Sequence, residues 1–240
     1  MPPLRRSLRT RLAFALLALL ATAACVRLGL WQWHKGQERE AEWASFAAGA
    51  EHLVAAGAGS LDALPLYQHV SVTGALDGAH QFLLDNRSWQ GRPGYEVLTP
   101  LKRAHGTTLL IDRGWVPFSG ARRVLPDVQL PAVTGDEFSG RVALLPSAGL
   151  ELGRAPPQGE WPKVTSFPSM AELSAAYGSP LEARIVWLDR EAANGYVRDW
   201  RAPGMSPLRH FSYAIQWWCF AGLALLVWGV MSFRGLKARR

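Results

Sequence analysis

Imidazole is the side chain in this sequence best suited to specialised chemistry, and the chain carries six: His34, His52, His69, His80, His105 and His210. His69 lies in an alternating stretch, and His80 and His105 stand beside Gly78 and Gly106, so structural roles suit them. His210 stands where a long apolar run begins and is followed by Phe211, Tyr213, Trp217 and Trp218. On a helix, residues 210, 213, 214 and 217 share one face, lining up an imidazole, a phenol, Ala214 and an indole, with Gln216 close by. A neutral imidazole among aromatic rings at a membrane mouth can ligate a haem iron. The neighbouring Arg209 could pair with a propionate, or with a lipid phosphate. On the residues alone, an interfacial histidine beside an ordinary aromatic belt is the stronger of the two readings. His34, at the end of the other apolar run, is a candidate second ligand if the two runs pack together.

Other chemistry is not signalled. The sequence contains no G-x-S-x-G elbow, no H-E-x-x-H, no phosphate-binding Walker loop and no Rossmann glycine pattern. This lowers the case for an enzyme, although dispersed triads leave no motif. Cys25 and Cys219 both fall in the apolar runs, so the region between them has neither a disulfide nor a thiolate metal site.

Two apolar runs must position these residues. The first extends from Leu12 through Val26 to Trp33, interrupted by Arg27, whose long side chain can snorkel to the interface. The second extends from Phe211 to Phe233 without a formal charge. About 20 apolar residues at roughly 1.5 Å each cross a hydrocarbon core of about 30 Å. Ala21-Thr22-Ala23 offers a peptidase cut, Cys25 after Ala23-Ala24 a partial lipobox, and Arg5-Arg6 a partial twin-arginine signal. Apolar character continues past both cuts, so the first run reads as an uncleaved anchor.

The net charge is +7. The excess sits in the tails, at Arg5, Arg6, Arg9 and Arg11 and at Arg234, Lys237, Arg239 and Arg240, while acids slightly outnumber bases from His34 to Arg209. That distribution follows the positive-inside pattern and argues against a nucleic-acid partner. The expected organisation is a basic tail over 1–11, a transmembrane helix over 12–33, an extracytoplasmic domain over 34–209, a second transmembrane helix over 210–233 and a basic tail over 234–240. Both tails should face the cytoplasm, with membrane lipids as the immediate partners. The basic tail leads directly into the first span without a transit-like segment, which favours a bacterial inner membrane and a periplasmic middle region.

Within that region, Gln37 to Leu53 has helical spacing of Trp43 and Phe46 against charged residues. Short β runs follow at 67–74, 82–84, 95–101, 107–116, 138–145 and 182–188, which predicts a small antiparallel β-barrel or curved sheet with a few helices, a membrane α+β architecture. Residues 146–168, rich in Pro and Gly, read as irregular. Ser169 and Glu172 form a capping-box pattern for a helix over 169–177.

Four passages in order resemble the Surfeit locus protein 1 (SURF1) family. They are LGLWQW at 28–33, NRSWQGRPGYEVLTPL at 86–101, LLIDRGWVP at 109–117 and RHFSYAIQWWCF at 209–220. The resemblance implies a cytochrome c oxidase assembly factor of the respiratory chain rather than an enzyme. Such a haem chaperone would bind haem a transiently and help to insert it into the oxidase catalytic subunit, its partner. The family's haem-ligating histidine falls on His210 and its recurrent tyrosine on Tyr213; Trp217 and Arg209 complete the expected cofactor-binding set. The resemblance turns the reading of His210 towards haem iron. Gly91, Gly94, Arg113 and Gly114 match positions that shape turns and the sheet. His34 departs from the family pattern, as does Asp112, where the family often has Asn or another small polar residue. Two alternatives stay open: a haem-free membrane scaffold for oxidase subunit assembly, and an anchored extracytoplasmic hydrolase.

Overall fold

A computed structural model describes residues 8–49, 51–57, 59–130, 136–146, 155–202 and 204–237. The chain divides into two compact units, Met1–Ala44 with Ala202–Arg240, and Ser45–Arg201.

The first unit is built from α1 (Leu8–Ala48) and α3 (Pro207–Lys237). Both are long and apolar enough to cross a membrane, and most of their large apolar side chains are exposed, as lipid-facing helices require. They meet along a seam of small residues on one helix and rings on the other. A Cβ on Gly29 would stand 2.3 Å from the Trp218 indole nitrogen, and one on Gly36 would stand 2.4 Å from the Phe211 ring. Glycine at these two places lets the rings lie against the α1 backbone. Ala214 and Ala221, one face along from Phe211 and Trp218, are buried. Trp33 closes the seam, with ring centroids 4.8 Å from Phe211 and 5.8 Å from Trp218. Contacts that rise along α1 fall along α3, so the helices run in opposite directions.

The helix expected over 37–53, leaving the first span, is continuous with that span in α1 and ends at Ala48, short of Leu53. Gly36, the residue most able to interrupt it, is fixed by the Phe211 ring instead.

The second unit is a mixed sheet. Its strands are β1 (Val54–Ala55), β2 (His69–Thr73), β3 (Ala75–Leu76), β4 (Phe82–Trp89), β5 (Arg92–Lys102), β6 (Thr108–Pro117), β7 (Glu137–Ala143), β8 (Ala155–Gln158), β9 (Lys163–Ser166) and β10 (Leu181–Leu188). Their order is β1-β2-β7-β10-β6-β5-β4-β9-β8. β2 and β3, separated by Gly74 alone, pair with β7 and with β5 respectively. The pairing path therefore returns on itself through β2/β3, β7, β10, β6 and β5. Residues from β2, β5, β6, β7 and β10 meet in one core, among them Val70, Val72, Leu101, Ile111, Phe138, Val142 and Val186. The opposite faces of β4, β6 and β10 form a second cluster under α2 (Met170–Tyr177), with Phe82, Leu110, Leu173 and Ile185.

The antiparallel expectation holds for β2–β7, β3–β5, β4–β5, β5–β6, β7–β10 and β8–β9; β1–β2, β6–β10 and β4–β9 are parallel. The β6–β10 pair is the consequential departure. Long crossovers allow parallel neighbours that hairpin reasoning does not anticipate. Residues 155–168 are also more regular than their Pro and Gly content suggests, because the β8–β9 hairpin docks onto the edge of β4. The rest of that stretch, 147–154, lies outside the described residues. The capping box is present as expected: the Ser169 side chain accepts from the Glu172 N–H, and the Glu172 carboxylate accepts from the Ser169 N–H at 2.7 Å. Gly178 ends α2 in the left-handed conformation.

Candidate functional site

His210 lies in the first turn of α3, half-buried against α1. Its Nδ1–H donates to Gln32 Oε1 at 2.8 Å. With the amide oxygen as acceptor, the proton of the neutral ring resides on Nδ1, and Nε2 carries the free lone pair. A metal-ligating histidine is ordinarily held this way, by an acceptor on the ring nitrogen that does not face the metal. Gln32 is placed by the same seam that holds the helices together, since it lies between Gly29 and Gly36 and next to Trp33.

The other residues expected at the site are distributed along the same end of α3. Arg209 is exposed beside His210. Tyr213 is 45% exposed. Trp217 is half-buried and packs edge-on against Phe220 at 5.9 Å. Ala214, on the face proposed from sequence, is wholly buried. None of Arg209, Tyr213 and Trp217 hydrogen-bonds to His210 among the described residues, so His210 and Gln32 are the pair the structure joins.

His34 is turned away. Its Nδ1–H donates to the Leu30 carbonyl at 2.7 Å, and the side chain is exposed. Residues two apart on a helix are separated by roughly 200° of rotation, so Gln32 and His34 cannot both face α3. Gln32 therefore occupies the position against His210 that His34 was a candidate for. The signal in the sequence was an uncharged polar residue between two tryptophans at the end of an apolar run.

The sheet unit contains buried polar groups of another kind. Arg113 is 2% exposed and meets no carboxylate among the described residues. Its Nη1 donates to Gln81 Oε1 at 2.8 Å, its Nε donates to the Asn194 carbonyl at 2.6 Å, and its guanidinium lies 4.8 Å from the Tyr196 ring centre. Thr99 donates to the same Gln81 oxygen. Burial lowers the Arg113 pKa and raises that of Tyr196. Gly114, the next residue, has φ +103°, and a Cβ there would meet Val197 O at 2.6 Å. The glycine thus combines positive φ with a close backbone approach, either of which favours glycine.

On the other side of the strand, Asp112 is fully buried; its Oδ1 accepts from the Gly114 N–H at 3.0 Å, and its Oδ2 has no partner. Burial, reinforced by the Glu96 charge, pushes its pKa well above the usual carboxylate range. Burial also raises Glu96, against the opposing effect of Arg87. Arg87 Nε lies 3.0 Å from Glu96 Oε2, an ion pair by distance whose angle falls short of a hydrogen bond. No group of three or more metal-ligating side chains occurs among the described residues.

Comparison with known proteins gives a consistent result. The model of the SURF1 family matches residues 19–222. An uncharacterized SURF1-like protein of Mycobacterium bovis is 27% identical over 175 residues, covering 72% of this chain and 63% of its own length. SURF1-like proteins from two strains of Mycobacterium tuberculosis match to the same extent. The chain thus aligns with just under two thirds of the length of these relatives.

Proposed function

Because the chain belongs to the SURF1 family, a family of assembly factors linked to cytochrome c oxidase, we propose that it binds haem a transiently at His210 and assists its insertion into the oxidase catalytic subunit. The observation that carries this reading is the hydrogen bond from His210 Nδ1 to Gln32, which leaves Nε2 as a ready ligand. Bound haem supplies an iron that needs an axial donor and a flat apolar ring that needs cover. His210 Nε2 fits the first need, and the exposed ring of Tyr213 with the half-buried Trp217 fits the second. Arg209 is free to meet a propionate. One donor at an open helix end suits temporary custody, since release requires one coordinate bond to break.

The arginines of the two tails support an inner-membrane location with both termini in the cytoplasm and the sheet unit in the periplasm. The oxidase catalytic subunit would be met through the membrane helices and the sheet unit.

The test is an absorption spectrum of full-length protein purified in detergent from cells that make haem a. The intact protein should show a Soret band that co-purifies with it, and His210→Ala should lose it while retaining the helical circular dichroism of the parent. Equal haem content in the two proteins would remove His210 from the site. A folded, haem-free His210→Ala protein that still supports oxidase assembly would instead identify a scaffold.

A further inference from the structure

A cleft of about 520 Å³ opens in the sheet unit, lined by residues of β2, β7 and the 189–200 segment. Its charged lining comprises Arg141, Arg190 and Arg198 against Asp189 and Glu191, with His69 beside them. Asp189 and Glu191 offset part of this charge and leave an excess of one positive charge among these five groups. Asp189 Oδ2 is engaged by His69 Nε2 at 2.5 Å. Arg141 donates to the Phe46 carbonyl at 2.8 Å and lies 4.4 Å from the Phe46 ring centre, both neutral partners. The terminal nitrogens of Arg198 donate to the carbonyls of Asp189, Ala192 and Arg190 at 2.6, 2.9 and 2.7 Å. Neither guanidinium has a carboxylate hydrogen bond among the described residues. Arg190 pairs with Asp199 at 3.1 Å, an acid that Arg201 shares, and its Nε donates to the Arg198 carbonyl at 3.1 Å.

Two side chains of the lining, Arg198 and Trp200, are held in place. Arg198 lies so close to Gly195 that a Cβ there would stand 2.1 Å from its guanidinium carbon. Trp200 is fixed by its indole N–H to the Leu188 carbonyl at 2.7 Å and by stacking on Trp187 at 5.1 Å. Guanidinium groups around a cleft attract an oxyanion, because their fork of N–H donors matches its oxygens. Arg141 and Arg190, from different elements of the lining, suit a phosphate group better than a single carboxylate, since phosphate carries more charge and more acceptor oxygens.

We propose that this cleft is a phosphate-binding site, separate from His210, in which Arg141 and Arg190 supply the contacts and the His69–Asp189 pair closes one side. The phosphate could be a free monoester or inorganic ion, or the diester of a lipid headgroup. Isothermal titration of the full-length protein in a zwitterionic detergent distinguishes these sources, with inorganic phosphate and glycerophosphoglycerol as the two probes. Saturable binding of either supports the site, and the probe preferred identifies the source. Arg141→Gln and Arg190→Gln should each weaken that binding by about tenfold, the loss of one charge-assisted contact. Circular dichroism and thermal melting of each variant establish that it remains folded, and the exposed Arg190 leaves the sheet core untouched should Arg141→Gln unfold. Absence of saturable binding of both probes, or binding unchanged in both folded variants, overturns the proposal.

Discussion

Replacing Gln32 with Leu removes the acceptor from His210 while keeping a side chain of similar bulk in the helix seam. The native bond is 2.8 Å long and joins two half-buried groups. Leaving a buried donor unmade costs about 1–3 kcal/mol, and partial exposure to water or headgroups places this case near the lower end. The larger effect should fall on the ligand. An acceptor behind a metal-bound histidine is typically worth roughly 10–100-fold in affinity, because it fixes ring orientation and tautomer and makes the free nitrogen more basic. Nitrogen-15 spectra of histidine-labelled protein report the tautomer directly. The parent should show His210 protonated on Nδ1, and Gln32→Leu a mixture of the two neutral tautomers. Haem titrated into the same samples should bind at least about tenfold more weakly to the variant. An unchanged tautomer together with unchanged affinity would refute the reasoning, because the bond would then neither orient the ring nor tune it. A mere structural disturbance would lower the melting temperature without redistributing the ring proton, so the two measurements separate the explanations.

Asp112 makes stability depend on pH in an unusual direction. Its folded pKa is raised, so between the unfolded and folded values the folded chain holds a proton the unfolded chain has lost. Its contribution is therefore fullest below the ordinary carboxylate pKa and declines as pH rises, by about 1.4 kcal/mol per pH unit for one such group. Glu96, raised by the same burial, acts in the same direction. Asp112→Asn should flatten the dependence of melting temperature on pH above the ordinary carboxylate pKa of about 4; an unaltered slope would show that Asp112 is ionised in the fold. Gly36→Leu drives a side chain into the Phe211 ring and should destabilise the helix pair by roughly 1–3 kcal/mol. The environment of Trp33 and Trp218 should change with it, and an unshifted tryptophan emission spectrum with full thermal stability would contradict the close packing described for the seam.

Features governed by local spacing were legible in the sequence. The two apolar helices, the Ser169–Glu172 capping box and most strand cores depend on periodicities and short-range hydrogen bonds that any window of the chain displays. The parallel β6–β10 pairing was not legible, because it joins residues about 75 positions apart and depends on which crossover the β8–β9 hairpin and α2 can make. The strands at 155–158 and 163–166 were hidden for a related reason, since β9 gains its hydrogen bonds from the edge of β4 rather than from β propensity of its own.

The candidate site divides along the same line. His210 could be singled out from its aromatic neighbours, which sit within one or two turns of the same helix. Gln32 could not, because its role arises from contact with a residue 178 positions away. Helical geometry then separates it from His34: with about 100° of rotation per residue, whichever of the two faces α3 excludes the other. That face is set by Gly29 and Gly36, the places where α1 admits the Trp218 and Phe211 rings. The glycines therefore do more than permit close packing. By fixing the rotation of α1 they select an amide rather than a second imidazole as the partner of His210, which leaves one nitrogen of that ring open.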